Sequence, residues 1–558
     1  MFVREKKTPL SNKTAIQLVE AVREGNKIKQ KILRHFGFAY NSEEIDALKN
    51  LALRYKLELE NKSQPILFET GTLMQIITQA SKKGDDDTAL HVNLKNIVEE
   101  KRLKIGIHQV YGNLFNQIGF DKVVHNPLRK KASVRLMRDI VMARINRPES
   151  KMSSVNTLSD EYGIDVNVNA VYRMMDLIDD KAISKIQQTC YENTFGLLGE
   201  TIDIIFYDCT TLYFESFTED ELKENGYSKD GKFNQSQVIL ALMVSKHGLP
   251  VGYEVFPGST FEGHTLSNAL ERLHAQYKID KIIFVADAAM LSEDNIKMLE
   301  KREQPFIVGA RIKNLSKVIT DKILDTSKYN NLYEVSEQQA PVTYQDLTIK
   351  EDDLRLIVTH SPNRAAKDKH DREKAIEQVK KRLAKSNDPK SLLNNYGYKK
   401  YITISGETEI SINEEKIKQA EKWDGLHGII TNIKDTYAKD LLSHYKGLWQ
   451  VEETFRISKH DLRMRPVFHW TPRRIKAHIA ICFMALTCIR TLEYKVRLQY
   501  KKLSPEAIRK TITVLEMSIL KDTTTGKRYT LPSQASQDAK KIYQILNLKW
   551  RQTPFLIK

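Results

Sequence analysis

The chain has 558 residues, too many for one compact domain, and roughly three to five folding units are expected. Its 41% hydrophobic and 28% charged residues describe a globular protein rather than a disordered one. A formal net charge of +17 favours a polyanionic partner, most simply nucleic acid; a generically basic protein is the competing reading. The four cysteines, Cys190, Cys209, Cys482 and Cys488, form no CxxC pair and have no histidine cluster beside them. That argues against structural zinc and a disulfide framework, and fits a reducing cytoplasm. The N-terminal stretch has no apolar signal core, and the apolar run 479–489 is too short to span a bilayer, so no membrane association is expected.

Residues 1–60 read as a small hairpin and helix unit for DNA binding. An alternating apolar run is followed by a turn at Gly25-Asn26 and a basic helix over 27–38. Residues 61–198 read as mainly helical and are expected to bind DNA ends. Within them, "KMSSVNTLSDEYGI" resembles a helix-turn-helix, a pattern that any helical hairpin with a polar turn also produces. The texture changes at 199. "TIDIIFYDCTTLYF", "SQVILALMVS" and "GLPVGYEVFPG" read as three strands, the last two joined at "KHG". Helix, buried strand ("KIIFVAD"), helix and strand follow, making 199–312 an α/β unit with a mixed sheet. Residues 313–424 read as an inserted, mainly β module around one highly charged helix. Residues 425–500 return to the core and include a long buried helix, and 501–558 form a C-terminal region suited to dimerisation. The whole is a multidomain α+β protein.

Asp208 lies within or at the end of an apolar strand, and Asp287 ends another. A carboxylate there is costly unless it is paired or binds a metal, and strand ends are where α/β sheets build sites. The competing reading is a helix N-cap. Further on, Tyr445, Glu452 and Lys459 recur every seven residues, which on one helix puts all three on one face. Three carboxylates can hold two divalent ions about 3.5–4 Å apart, an arrangement suited to phosphodiester cleavage and strand transfer. Hard oxygen donors favour Mg²⁺, with Mn²⁺ as a substitute.

Together these segments resemble the DDE-type transposases of bacterial insertion sequences. The match is to the branch whose catalytic helix carries Tyr, Arg, Glu and Lys at fixed spacing. Tyr445, Glu452 and Lys459 fall on three of those places, and Leu448 stands on the Arg place. The resemblance extends to "YDCTTLYFES", the stretch 226–266, "VADAAM" and "RPVFHWTPRRIKAHIAICFMAL". It implies a ribonuclease H-like core interrupted by a β insertion, with Asp208, Asp287 and Glu452 as catalytic, metal-binding residues. It also implies terminal inverted repeats and target DNA as partners, a homodimer on DNA, and a bacterial, nucleoid-associated location. Tyr445 and Lys459 are expected to contact DNA, as are Arg465, Arg473 and Arg474 in the basic cluster that follows. Arg456 either supplies the charge missing at Leu448 or pairs with Glu452 four residues back. Trp449 is expected in the core, with base stacking as the alternative. A catalytically silent DNA-binding descendant and a nuclease without a joining step are the competing functions.

Overall fold

The computed structural model describes the chain except residues 8–12, 25–26, 61–73, 75–89, 125–129, 200, 216–217, 227–233, 278–281, 291, 337–338, 350–353, 386–400, 406–408 and 558. The turn expected at Gly25-Asn26 and part of the 226–266 stretch lie outside the described residues. The chain forms two compact units. One combines Met1–Asp280 with Trp449–Lys558, and the other is Lys281–Leu448.

The first unit opens with an antiparallel sheet of β1 (Phe2–Lys7), β2 (Thr14–Glu24) and β3 (Lys27–Ala39). Helix α1 (Ser42–Glu60) closes a small core of Ile16, Leu18, Phe36, Leu48, Leu51 and Ala52. The expected basic helix is therefore a strand. Lys27, Lys29 and Lys31 alternate with Ile28, Gln30 and Ile32, a two-residue period that lets the segment pair along the whole of β2.

Next come β4 (Ile97–Lys104) and helices α2 (Gly106–Ile118), α3 (Lys130–Asn146), α4 (Lys151–Tyr162), α5 (Val168–Met175) and α6 (Asp180–Leu197). The stretch expected to hold a helix, a turn and a helix is α4 alone. Ser150 caps its start, and Gly163, at φ 64°, ends it. Strands β5 (Ile204–Tyr213), β6 (Gln237–Ser245) and β7 (Pro250–Pro257) run as the expected antiparallel meander. The β6–β7 turn closes with Gly248 N–H donating to Ser245 O at 2.8 Å. Helix α7 (Thr265–Tyr277) follows.

The second unit begins with β8 (Ile283–Ala286), α8 (Glu293–Lys301) and β9 (Phe306–Ala310), the two strands pairing in parallel. After α9 (Lys317–Leu324) come β10 (Asn331–Ser336), β11 (Gln339–Ile349), β12 (Leu354–His360) and the charged helix α10 (Pro362–Lys385). A small hairpin of β13 (Ile402–Ser405) and β14 (Glu409–Ile412), then α11 (Glu414–Glu421), lead to β15 (Leu426–Thr431) and α12 (Ala438–Lys446). β15 pairs on one side with β12 and on the other with β9. The 313–424 stretch is thus not a separate module. Its long strands continue the sheet that β8 and β9 begin, and a boundary at 424 would cut β12 from its hydrogen-bonded neighbour.

The chain re-enters the first unit at α13 (Trp449–Arg456), which runs into a π-helical turn, Ile457–Asp461. Helix α14 (Pro472–Gln499) is apolar and long enough to cross a bilayer, but 94% of its most apolar window is buried in the structure, so it serves as the core helix expected. After α15 (Pro505–Thr513), β16 (Glu516–Asp522), β17 (Arg528–Pro532), α16 (Gln537–Ile545) and β18 (Phe555–Ile557) complete the chain. β16 pairs antiparallel with β4 over its whole length. The expected C-terminal region is therefore not separate but shares a four-stranded sheet with residue 97 onward.

Candidate catalytic carboxylates and cationic surfaces

In β5, Tyr207 and Cys209 point to one face and Asp208 to the other, as strand alternation requires. The Tyr207 hydroxyl donates to Thr265 Oγ1 at 2.7 Å, and Cys209 Sγ lies 3.3 Å from the same oxygen. That ties β5 to the start of α7. Burial pushes the Cys209 thiol up to about 12, so it is an inert packing group. Asp208 is only half-buried, and its Oδ1 accepts from Cys209 N–H at 2.7 Å. It sits in mid-strand and caps no helix.

Helix α13 packs on β5 and β6. It buries Gln450, Val451, Thr454 and Phe455 and leaves Glu452 exposed. Its seating depends on Arg490, a charged residue inside the apolar run of α14. Arg490 donates through Nε to Gly248 O at 2.7 Å and through Nη2 to Gln450 Oε1 at 3.2 Å, and pairs with Glu493 at 2.5 Å. One buried guanidinium thus joins α14, the β6–β7 turn and α13. The signal for it was a lone Arg in "ALTCIRTLEY".

In the second unit, Asp287 follows β8 directly, is exposed, and accepts from Ala288 N–H at 2.6 Å. It caps no full helix either; Ser292 caps α8. Tyr445 of α12 packs its ring 5.4 Å from that of His427 on β15. A Cβ at Gly309 on β9 would come within 2.5 Å of the Tyr445 hydroxyl and 2.9 Å of Ala288 N, so Tyr445 reaches the backbone beside Asp287. Arg311 Nε donates to Ala288 O at 3.1 Å. The His427 pKa is lowered, chiefly by burial and then by Arg364, against the opposing pull of Asp287. Neither His427 nor Arg311 carried any signal in the sequence.

Tyr445, Glu452 and Lys459 do not share one helix. α12 ends at Lys446, α13 begins at Trp449, and Lys459 lies in the π turn, where Leu462 N–H bonds Ile457 O at 2.8 Å. Gly447 interrupts the first interval, and the wider turn spoils the second. Leu448, on the Arg place, is buried at 8% exposure; the position is apolar because it is core. Trp449 is 51% exposed rather than buried. Arg456 does not pair with Glu452. Its guanidinium takes Glu453 with two bonds of 2.7 Å and reaches Asp461 at 3.5 Å. The Glu453 contact holds that carboxyl below its usual range.

The cluster after α13 is also occupied. Arg474 forks onto Asp176 at 2.9 and 3.0 Å and covers the Tyr172 ring, Arg473 donates to the Asp176 carbonyl, and Lys476 meets Asp180 at 3.1 Å. These cations tether α14 to α5 and α6. Arg465 lies over the Tyr213 ring at 5.5 Å, and Lys459 over Phe455 at 5.7 Å.

The sequence profile of the family described as "Transposase DDE domain" matches residues 199–488, more than half of the chain. The chain belongs to that family and is a DDE-type transposase, as its resemblance to the insertion-sequence enzymes implied. Among solved structures it is similar to a piggyBac transposase synaptic complex with hairpin DNA. That likeness has 9% identity and a TM-score of 0.36, over 73% of this chain and 76% of that one. It is also similar to the Mos1 transposase paired-end complex with the left transposon end, at 13% identity and a TM-score of 0.14, over 48% of this chain and 77% of that one. No curated protein matches the chain.

Proposed function

We propose that this transposase binds the terminal inverted repeats of its own element, cleaves the ends and joins the freed 3′-hydroxyls to target DNA, with Asp208, Asp287 and Glu452 as its catalytic carboxylates. The observation that carries this reading is Asp208 itself. It is a half-buried acid within a strand whose other residues are apolar or packed away, on a strand against which the Glu452 helix lies. Burying an acid there without a functional return is unfavourable.

Among the described residues, no three His, Cys, Asp or Glu side chains gather closely enough to hold a metal ion. The donor chemistry nonetheless suits one, since hard carboxylate oxygens are the ligands Mg²⁺ takes, with Mn²⁺ as a substitute. Asp208 and Glu452 lie in the first unit, and Asp287 lies in the second. Bound ions would supply Lewis-acid stabilisation of charge on the attacking and leaving oxygens, most simply as a pair. The protein's part is to hold its acceptors rigidly: Asp208 by β5, Glu452 by the Arg490-anchored helix, Asp287 by the end of β8. Tyr445 is suited to donate its hydroxyl to a phosphate oxygen, and Lys459 and Arg465 to neutralise backbone charge. Arg456 holds Glu453, and Arg473 and Arg474 hold Asp176, so any DNA contact by them competes with those bonds.

The three antiparallel strands β5–β7 and the parallel pair β8 and β9 are consistent with a ribonuclease H-like core. Cleaving two ends in concert calls for a homodimer on DNA, in the cytoplasm and on the nucleoid. The test is an in vitro reaction with labelled element ends, Mg²⁺ and a target plasmid. Joined product is expected. Binding without cleavage would mark a silent descendant, and cleavage without joining a nuclease.

A further inference from the structure

The first unit holds a cleft of about 390 Å³ that the proposed chemistry does not use. It is walled by Arg144 at the end of α3, by Ser150 and Lys151 at the start of α4, by Arg463, Arg465 and Phe468, and by His478 of α14. Lys151 is 3% exposed, and Arg144 and His478 are each 4% exposed. Their partners are neutral. Arg144 donates to Glu149 O at 2.8 Å and to Leu462 O at 3.4 Å. Lys151 Nζ lies 3.3 Å from His478 Nδ1, and His478 Nε2 lies 3.2 Å from Met464 O, so Nε2 carries the proton and Nδ1 accepts from Lys151. Glu149 also lines the cleft, but its carboxylate is held by Arg147 at 2.7 Å and Thr157 at 3.2 Å.

Two buried cationic side chains with no carboxylate partner among the described residues are a standing cost that an apolar pair would avoid. An anion entering the cleft would remove it. The cleft volume falls within the range that accommodates a nucleotide-sized ligand. Its 463–469 wall is the chain that follows α13, and Val467 N–H bonds Tyr213 O at 3.2 Å, at the end of the Asp208 strand. Phe468 at the lip is 59% exposed, a surface on which an unpaired base can stack.

We propose that this cleft binds a backbone phosphate of a DNA strand, with Arg144 and Lys151 as its buried cationic floor and Arg463 and Arg465 on its rim. The proposal rests on the transposase reading for the identity of the strand, but not on the metal-binding carboxylates. Burial and the neighbouring Arg144 lower the Lys151 pKa to about 7, and burial, Lys151 and Arg144 lower that of His469 to about 3. His478 is shifted down for the same reasons, and burial raises Cys482. An incoming phosphate therefore meets a partly neutral floor and draws a proton onto Lys151.

The test uses the full chain without divalent metal, so that cleavage is not read. A short fluorescein-labelled single strand of mixed sequence, and the matching duplex, are titrated across about 50 to 200 mM salt. Lys151→Met is expected to weaken binding several-fold and to reduce the salt slope for the single strand by about 0.7, the loss of one phosphate contact. Near pH 8 the wild type should take up a proton on binding, read calorimetrically in two buffers, and Lys151→Met should not. Arg463→Ala, an exposed change that leaves the floor intact, should lower the slope but keep the uptake. Unchanged slope and uptake in Lys151→Met would overturn the proposal. So would a wild type that binds neither DNA nor inorganic phosphate. Stabilisation by inorganic phosphate alone, lost in Lys151→Met, would keep the anion site and refute DNA as its source. Failure of the carboxylate reading shows separately, as absent cleavage with Mg²⁺.

Discussion

Lys151→Met should make the free protein more stable. The ammonium is fully buried, and its pKa falls from an ordinary 10.5 to about 7. That fall corresponds to about 5 kcal/mol of penalty on the charged form. The sign follows from linkage. Between pH 7 and 10.5 the unfolded chain holds the proton that the folded chain has released, so wild-type stability rises with pH across this window. The penalty is fully present below pH 7. Methionine has nearly the shape and no charge, so the variant should be more stable at pH 6 by about 2–4 kcal/mol, allowing for local relaxation. The gain should shrink toward pH 10 with a slope of up to about 1.4 kcal/mol per pH unit. Urea unfolding followed by circular dichroism from pH 6 to 10, variant against wild type, measures it. Parallel stability profiles, or a destabilised variant at pH 6, would refute the claim that Lys151 is an uncompensated charge.

Asp208→Asn, Asp287→Asn and Glu452→Gln should each lower Mg²⁺-dependent end cleavage by about 10³-fold or more while leaving metal-free DNA binding near wild type; gel assays of labelled ends would show it. Gly309→Ala should cost about 1–3 kcal/mol and reduce cleavage, because its methyl collides with the Tyr445 hydroxyl and Ala288 N. Tyr445→Phe in the same chain should restore part of the stability by removing the first clash, a double-mutant cycle read by thermal melts. Arg474→Ala should cost about 1 kcal/mol, since the Asp176 pair is partly solvated and the Tyr172 contact adds little more. Its DNA salt slope should not change, because Asp176 already balances the charge.

Strands with a clean period or β-branched texture were legible in advance. β5, β6, β7 and the turn at "KHG" follow directly from their residues, as does the burial of α14. What failed depended on partners distant in sequence. β3 has a lysine-rich texture that suits a helix, and pairing with β2 decides otherwise. The seven-residue spacing of Tyr445, Glu452 and Lys459 is genuine, but spacing translates into a shared face only along an unbroken helix, and Gly447 and the π turn break it. Arg473 and Arg474 look like a phosphate track until Asp176, some three hundred residues earlier, appears beside them. Lys151 and Arg144 gave no signal at all, because an isolated lysine in sequence does not reveal whether water reaches it.

The pairing of β4 with β16 bears on how the protein is made. Residues 97–104 must wait for residues 516–522 before their edge is covered. At about 5–20 residues per second, synthesis of the intervening chain takes roughly 20 to 80 s. Throughout that time the nascent β4 presents unpaired backbone groups, a ready template for another chain. The second unit, continuous from Lys281 to Leu448, has no such wait and can close while the ribosome is still reading. Maturation of the first unit is therefore timed by the end of translation rather than by its beginning, and a chain that stops before residue 516 leaves this edge open to a holding chaperone or to aggregation.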